Sequence, residues 1–187
     1  MKGIGKLTRI FPALLMFGAG LVLTSCFDDE KTPEQTYAEW KSRNEQYLAD
    51  AAALKGDDGS LYYSRITPSW APNTYILIHW HNDTTLTASN LVPIDNSVTS
   101  ITYQLFDIDG KEISNSFSNS DSTYTSRPSQ NIIGMWAALT NMHVGDSVTM
   151  VLPSTAGYGS VGRTSIPPYS TLVYGVKLKA IPAYEIP

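Results

Sequence analysis

A continuous run near the C-terminus, Ile132 to Ile181, constrains the fold more than any other part of this 187-residue chain. It reads IIGMWAALTNMHVGDSVTMVLPSTAGYGSVGRTSIPPYSTLVYGVKLKAI: a short apolar helix, a tight turn, a strand, a Gly-rich loop, a double proline and a last strand. The helix spans Met135 to Met142, where Met135, Trp136, Ala138, Leu139 and Met142 leave most of its surface apolar. A helix apolar on most of its circumference has to be wrapped by other structure. His143-Val144-Gly145-Asp146 ends it, with Gly145 suited to a left-handed cap. Ser147 to Leu152 alternates, with Val148, Met150 and Leu152 on one face. Thr171 to Ile181 alternates again, with Leu172, Tyr174, Val176, Leu178 and Ala180 together. The pattern predicts an α+β domain in which antiparallel strands clasp one short helix.

The start of the chain is of a different kind. Lys2, Lys6 and Arg9 form a positive region, and the apolar stretch from Ile10 to Val22 is too short to span a bilayer comfortably. Leu23-Thr24-Ser25-Cys26 resembles a lipobox, which implies that residues 1–25 are a lipoprotein signal peptide and that Cys26 is lipidated. Cys26 is the only cysteine, so the chain forms no internal disulfide. Phe27-Asp28-Asp29-Glu30 resembles the surface-export signal of lipoproteins in the Bacteroidetes phylum, and reads equally as a solvated tether. Acyl burial at roughly 0.8 kcal/mol per methylene makes a multi-chain lipid anchor durable. The expected location is therefore the cell envelope, at the outer membrane or its surface.

Without Lys2, Lys6 and Arg9, ten basic residues face 17 acidic ones, a net charge of −7. An acidic domain without a basic patch argues against nucleic acid and against electrostatic binding to anionic lipid.

Thr32-Pro33-Glu34-Gln35 is a helix start, with a capping threonine, proline at the first helical position and glutamine three after the cap. That helix is expected to run to about Leu54 and to stop at Gly56-Asp57-Asp58-Gly59. Tyr37, Trp40, Tyr47, Leu48, Ala51 and Leu54 make a broken apolar stripe, which can pack on the chain's own domain or on a partner helix. The organisation expected is a signal over 1–25, a lipidated tether and helix over 26–58, and a domain over 59–187.

Within that domain, Leu61 to Thr67 reads as a strand and Tyr75 to His81 as a second. Val98 to Phe106 is a third, turning at Asp107-Ile108-Asp109-Gly110 into a hairpin partner over Lys111 to Phe117. Ser114 to Gln130 is polar and low in complexity, a surface loop by composition.

Three patterns of possible chemistry fall away. Gly157-Tyr158-Gly159-Ser160-Val161-Gly162 spells G-x-G-x-x-G, but a dinucleotide site needs a helix immediately after it, and Ile166-Pro167-Pro168 forbids one. No nucleotide is expected. His79, His81 and Asp83 alternate along a strand in a possible metal pattern, but no fourth ligand lies nearby, and ordinary polar-face residues are the expected reading. Asp107 and Asp109 lack the glutamate that closes a calcium loop and read as turn residues. No cofactor or metal is expected.

A family resemblance accounts for what remains. A-L-x-x-M-x-V-G (Ala138-Leu139, Met142, Val144-Gly145), P-x-x-x-x-Y-G (Pro153, Tyr158-Gly159) and I-P-P-x-x-T-L-V-Y (Ile166-Pro167-Pro168, Thr171-Leu172-Val173-Tyr174) look like the C-terminal half of the FKBP-type peptidyl-prolyl isomerases. Ile101 to Ser114 is similar to the family's strand–turn–strand carrying a core tyrosine, which falls at Tyr103. The resemblance covers about 59–183. It implies an FKBP-like fold, proline-containing polypeptide clients and a cofactor-free isomerase. Prolyl isomerisation breaks no bond; its barrier is rotation about a partly double C–N bond, ~18–20 kcal/mol. A dry pocket that grips the prolyl ring and holds the carbonyls favours the twisted amide.

Carried over by resemblance, Tyr103 and Tyr174 are aromatic walls and Ile166 a lid residue. Ile132 offers its backbone N–H, and Tyr158 a hydroxyl for the substrate carbonyl. The chain departs from the family in two places: Met135 takes the place of the pocket-floor tryptophan, with Trp136 on a different helical face, and Ile113-Ser114 replaces phenylalanine-aspartate. Between Pro72 and Asn96 it carries an extra strand-like segment. The expected function is an FKBP-type isomerase assisting folding in the cell envelope. Two other classes stay open: a module that binds proline segments without catalysis, and a structural lipoprotein using the 33–54 helix as its interface.

Overall fold

A computed structural model describes residues 33–184; the expected signal over 1–25, Cys26 and the acidic run lie outside the described residues. The order is α1 (Pro33–Ala53), β1 (Ser64–Ile66), β2 (Ile76–Trp80), β3 (Val98–Phe106), β4 (Glu112–Asn115), β5 (Tyr124–Ser126), α2 (Ile133–Leu139), β6 (Ser147–Leu152) and β7 (Leu172–Ala183). The seven strands form one antiparallel sheet in the order β1-β2-β6-β7-β3-β4. β4 and β5 both pair with β3, along successive stretches of it, and so act as one interrupted edge strand. No described helix is long and apolar enough to cross a membrane.

One face of the sheet carries the core. Ile76 and Ile78 from β2, Ile101 and Leu105 from β3, Val148, Met150 and Leu152 from β6, and Leu172, Val176 and Leu178 from β7 close around Met135, Ala138 and Leu139 of α2. Each fully buried aliphatic side chain contributes roughly 1.5–3 kcal/mol relative to exposure. Leu77 and Val151 are register partners and buried, yet stand apart from this cluster, on the other face. α1 lies beside β6.

The helix at the centre differs from the sequence expectation. It begins at Ile133 and ends at Leu139, rather than running from Met135 to Met142. The Thr140 hydroxyl donates to the Trp136 carbonyl at 3.0 Å and the Asn141 amide to the Ala137 carbonyl at 2.8 Å, so side chains take up the last carbonyls early. Met142 is not helical but is still fully buried. Gly145 turns the chain into β6 at φ +102°. Ala180, expected on the inward face of β7, is exposed. The pairing with β3 shifts between Ser100 and Ile101, opposite Ala180 and Leu178, which resets the alternation there.

The segment over 75–81 finds its place as β2, between β1 and β6. The loop that follows is tied down by Asp146, a fully buried carboxylate at the entry to β6. Asp146 accepts from the Thr87 hydroxyl at 2.6 Å, the Asn82 amide at 2.9 Å and the His143 backbone N–H at 2.7 Å. His143 Nδ1 lies 3.6 Å from it.

α1 packs on its own domain, within one compact unit that takes in the described residues 33–184. Tyr37, Trp40, Tyr47, Leu48 and Ala51 are half-buried and Leu54 is exposed. The residue that pins the helix is a polar one, Asn44, with no accessible surface. Its side-chain oxygen accepts from the Thr171 backbone N–H at 2.6 Å, and its own carbonyl accepts from the Thr171 hydroxyl at 3.0 Å. Trp40 Nε1 donates to Ser170 Oγ at 3.1 Å, and Arg43 pairs with Asp109 in the β3–β4 turn. α1 therefore clasps the segment leading into β7.

Candidate active site

A cavity of about 530 Å³ opens between the start of α2, the β3–β4 edge and the loop between β6 and β7. Met135 and Ile132, at the start of α2, sit at its base. Tyr103 and Leu105 enter from β3, Ile113 and Ser114 from β4, and Tyr174 from β7. Tyr158 and the run Arg163 to Ile166 close it from the loop side, with Tyr124, Gln130 and Asn131 at the rim. The side chains named from the sequence as pocket residues thus line one cavity; Cys26 lies outside the described residues.

The strands set this arrangement by their pleat. Tyr103 and Leu105 are two apart on β3 and so project to the same face, and Tyr174 is the register partner of Leu105 across the β3–β7 pair. The Tyr103 and Tyr174 ring centroids are 6.1 Å apart at 52°, and Tyr124 meets the Tyr103 ring edge-on at 5.7 Å. The Tyr103 hydroxyl is 3.0 Å from Ser114 Oγ. Tyr174 is buried, and its hydroxyl is pushed well above the ordinary phenol range, first by burial and then by the neighbouring Tyr158 and Tyr103. It stays a neutral donor throughout the physiological range.

Tyr158 is half-buried and its hydroxyl accepts from Arg163 Nη1 at 3.4 Å, the guanidinium carbon lying 5.5 Å from the Tyr158 ring centroid. The loop that holds them depends on Gly162. Its φ is +69°, and a Cβ there would fall 2.4 Å from the Ile166 carbonyl oxygen and 2.7 Å from the Pro168 nitrogen. The chain thus doubles back on itself, with Arg163 and Ile166 exchanging backbone hydrogen bonds at 2.7 and 2.9 Å. That hairpin-like turn buries Ile166 at the cavity. The G-x-G-x-x-G run therefore serves a tight loop, with no helix between Arg163 and Thr171.

Trp136 faces away from the cavity, stacked on Trp70 at 3.9 Å with Nε1 donating to Asp95 at 2.6 Å. His79 and His81 share a face, their rings 5.1 Å apart, but are engaged separately: His79 with the Tyr62 carbonyl and ring, His81 with Thr149. Asp83 accepts from Thr85 beyond the strand end. Asp107 accepts the backbone N–H groups of Asp109 and Lys111 within its turn. No group of three or more His, Cys, Asp or Glu suited to a metal exists among the described residues.

Arg163, Tyr124, Leu105, Gln130 and Asn131 line the cavity without having been singled out in the sequence. Leu105 and Tyr103 share a strand face, a signal that was available. A cation in a Gly-rich loop carries no comparable periodic signal.

Residues 92–179 match the sequence model of the family described as FKBP-type peptidyl-prolyl cis-trans isomerase. The FKBP-type peptidyl-prolyl cis-trans isomerase FkpA of Escherichia coli K12 is 35% identical over 86 residues, which are 46% of this chain and 32% of that protein. The crystal structure of FkpA from Escherichia coli superposes with a TM-score of 0.65 at 25% identity, over 82% of this chain and 64% of that one. A peptidyl-prolyl cis-trans isomerase structure from Pseudomonas syringae pv. tomato DC3000 gives 0.61 at 21% identity, over 77% and 94%. The family match thus spans just under half of the chain, and the α+β architecture is the FKBP-like one. The chain spans about a third of the length of the curated relatives it matches.

Proposed function

We propose that this chain is a peptidyl-prolyl cis–trans isomerase that assists folding in the cell envelope. The observation that carries the reading is the tyrosine-walled cavity, in which Tyr103, Tyr174 and Tyr158 surround a base of Met135 and Ile132. In this reading a prolyl ring enters between Tyr103 and Tyr174 and rests on Met135. Ile113 and Ile166 exclude water from the ring, and the Ile132 backbone N–H and Tyr158 hydroxyl hold the flanking carbonyls. Twisting the amide removes its resonance and reduces its dipole, so an apolar enclosure favours the twisted state over the planar one. No proton leaves or arrives.

Two departures favour a second reading, a module that holds proline segments without turnover. Met135 is a softer, more adaptable base than an indole. Ser114 brings a hydroxyl, already engaged by Tyr103, where the resembling family carries a carboxylate. NMR exchange on a proline peptide with the full chain separates the two. Cis–trans exchange faster than the uncatalysed rate supports the isomerase, and bound peptide without acceleration supports the module. In the second case, Met135→Trp with Ile113→Phe and Ser114→Asp is expected to restore turnover while affinity barely moves.

The proposed organisation keeps residues 1–25 as a signal, Cys26 as the lipidated residue and 26–58 as the tether, with α1 serving also as a brace for the domain over 59–187. Mass spectrometry of the mature protein tests the anchor: a diacylated or triacylated Cys26 at the new N-terminus is expected, and an intact Met1 would contradict it.

A further inference from the structure

Fifteen residues line the cavity, and one of them is charged: Arg163. Its head is exposed at the loop edge of the cavity, and among the described residues no carboxylate pairs with it. Among the described residues, its one side-chain hydrogen bond runs from Nη1 to the Tyr158 hydroxyl, at 3.4 Å. A guanidinium has five N–H donors in a planar fork, so most of Arg163's remain available to an arriving acceptor. From β4 the lining includes Ser114, whose hydroxyl is engaged by Tyr103. The acid nearest in sequence, Glu112, is held by Gln104 and Asn115 and does not line the cavity. The cavity is thus cationic at one side and compensated nowhere along its lining.

We propose that this cavity selects proline segments bearing a carboxylate side chain, Asp or Glu, next to the proline, and that Arg163 is the residue that reads it. The proposal rests on the prolyl-binding reading of the cavity given above. A backbone carbonyl accepting from Tyr158 sits one residue's reach from the Arg163 fork, so a neighbouring Asp or Glu can meet the guanidinium bidentately while the ring stays in the pocket. The chain's net charge of −4 acts the other way at long range, repelling acidic clients. Selection therefore operates at contact range. An exposed pair of this kind supplies roughly two- to fivefold, and it weakens as salt shortens the Debye length from about 8 Å at physiological ionic strength.

The test uses the full chain and four peptides blocked at both ends, with Glu, Gln, Leu or Lys before a single proline. Blocking makes the side chain the only charge. Kd by NMR titration and exchange rate are both read at low and high salt. The expected result is tighter binding of Glu-Pro than Gln-Pro by about two- to fivefold, and a wider gap to Lys-Pro. The gap should narrow at high salt, vanish in Arg163→Gln and invert in Arg163→Glu. The Glu-to-Lys ratio is the readout, because any loss of Tyr158 positioning lowers all four peptides together.

Binding or turnover of the Leu peptide with a wild-type Glu-to-Lys ratio of one overturns the selection and leaves the prolyl site standing. The same follows if a wild-type preference survives Arg163→Glu. Binding with the expected ratio but no acceleration of exchange supports the selection and contradicts the isomerase. Absence of binding by every peptide, in a chain shown to be folded, overturns both.

Discussion

Asn44 and Asp146 are both polar, both fully buried, and each pins a distant part of the chain to the sheet. Asn44 ties α1 to Thr171, five residues beyond Ile166 at the cavity. Asp146 ties the loop after β2 to the entry of β6, through Thr87, Asn82 and His143. One clasp is a neutral amide beside the cavity; the other is a carboxylate away from it. The same structural task is thus done once without and once with a charge, and the two sites should fail differently. Loss of the first reaches the cavity. Loss of the second costs stability and makes it depend on pH.

The largest effect expected is from Asp146→Ala. It leaves the Asn82 amide and the His143 backbone N–H without this acceptor, while the Thr87 hydroxyl keeps the Thr84 carbonyl, a cost of about 3 kcal/mol. Urea unfolding measures it, and the activity of the remaining folded protein should be unchanged. A fall in activity with unchanged stability would reverse the comparison.

Asn44→Ala should cost about 1–3 kcal/mol, since the Thr171 N–H loses its acceptor. Here peptide affinity or turnover should drop severalfold as well, because the 163–171 loop loses its brace. Gly162→Ala separates loop from clasp: α1 stays in place while a Cβ drives into the Ile166 carbonyl. A strain of roughly 1–3 kcal/mol is expected, expressed mainly at the cavity.

A pH titration sharpens the contrast further. Burial raises the Asp146 carboxyl, but the hydrogen bonds from Thr87, Asn82 and His143, with the His143 charge, outweigh it, and its pKa lies below the ordinary carboxylate value. A carboxyl depressed on folding stabilises the native state above its unfolded pKa, near 4, and loses that contribution as pH falls through the folded value. Stability should therefore decline below about pH 4, and Asp146→Asn should flatten that part of the curve. The Asn44 clasp has no titrating group and should add no slope of its own.

The parts of this molecule that were legible are those in which side chains repeat. β6 falls on Ser147–Leu152, as its alternation says, and β3 on Val98–Phe106, where the sequence reads a strand. Tyr103 and Tyr174 were legible through the family resemblance, which the strand pairing then brings to one cavity. What stayed hidden was set by single polar groups or by the backbone. Asn44 sits among polar neighbours, and its partner lies 127 residues away, so no local pattern marks it. β5 hides in a Ser-rich stretch because its pairing with β3 uses the backbone ladder, for which side-chain composition is a weak guide. The early end of α2 is decided by where Thr140 and Asn141 send their side chains. Arg163 belongs to the same group, a lone cation whose meaning depends on what surrounds it.

The measurement closest to the central claim is a prolyl-exchange assay on the full chain beside Tyr158→Phe and Tyr103→Ala. Tyr158→Phe removes one half-buried hydroxyl and should change stability by less than about 1 kcal/mol. The account predicts turnover clearly above the uncatalysed rate, lowered severalfold by Tyr158→Phe and further by Tyr103→Ala. Turnover at background from a well-folded chain, or turnover indifferent to both changes, would contradict the claim that this tyrosine-walled cavity is where a proline is turned.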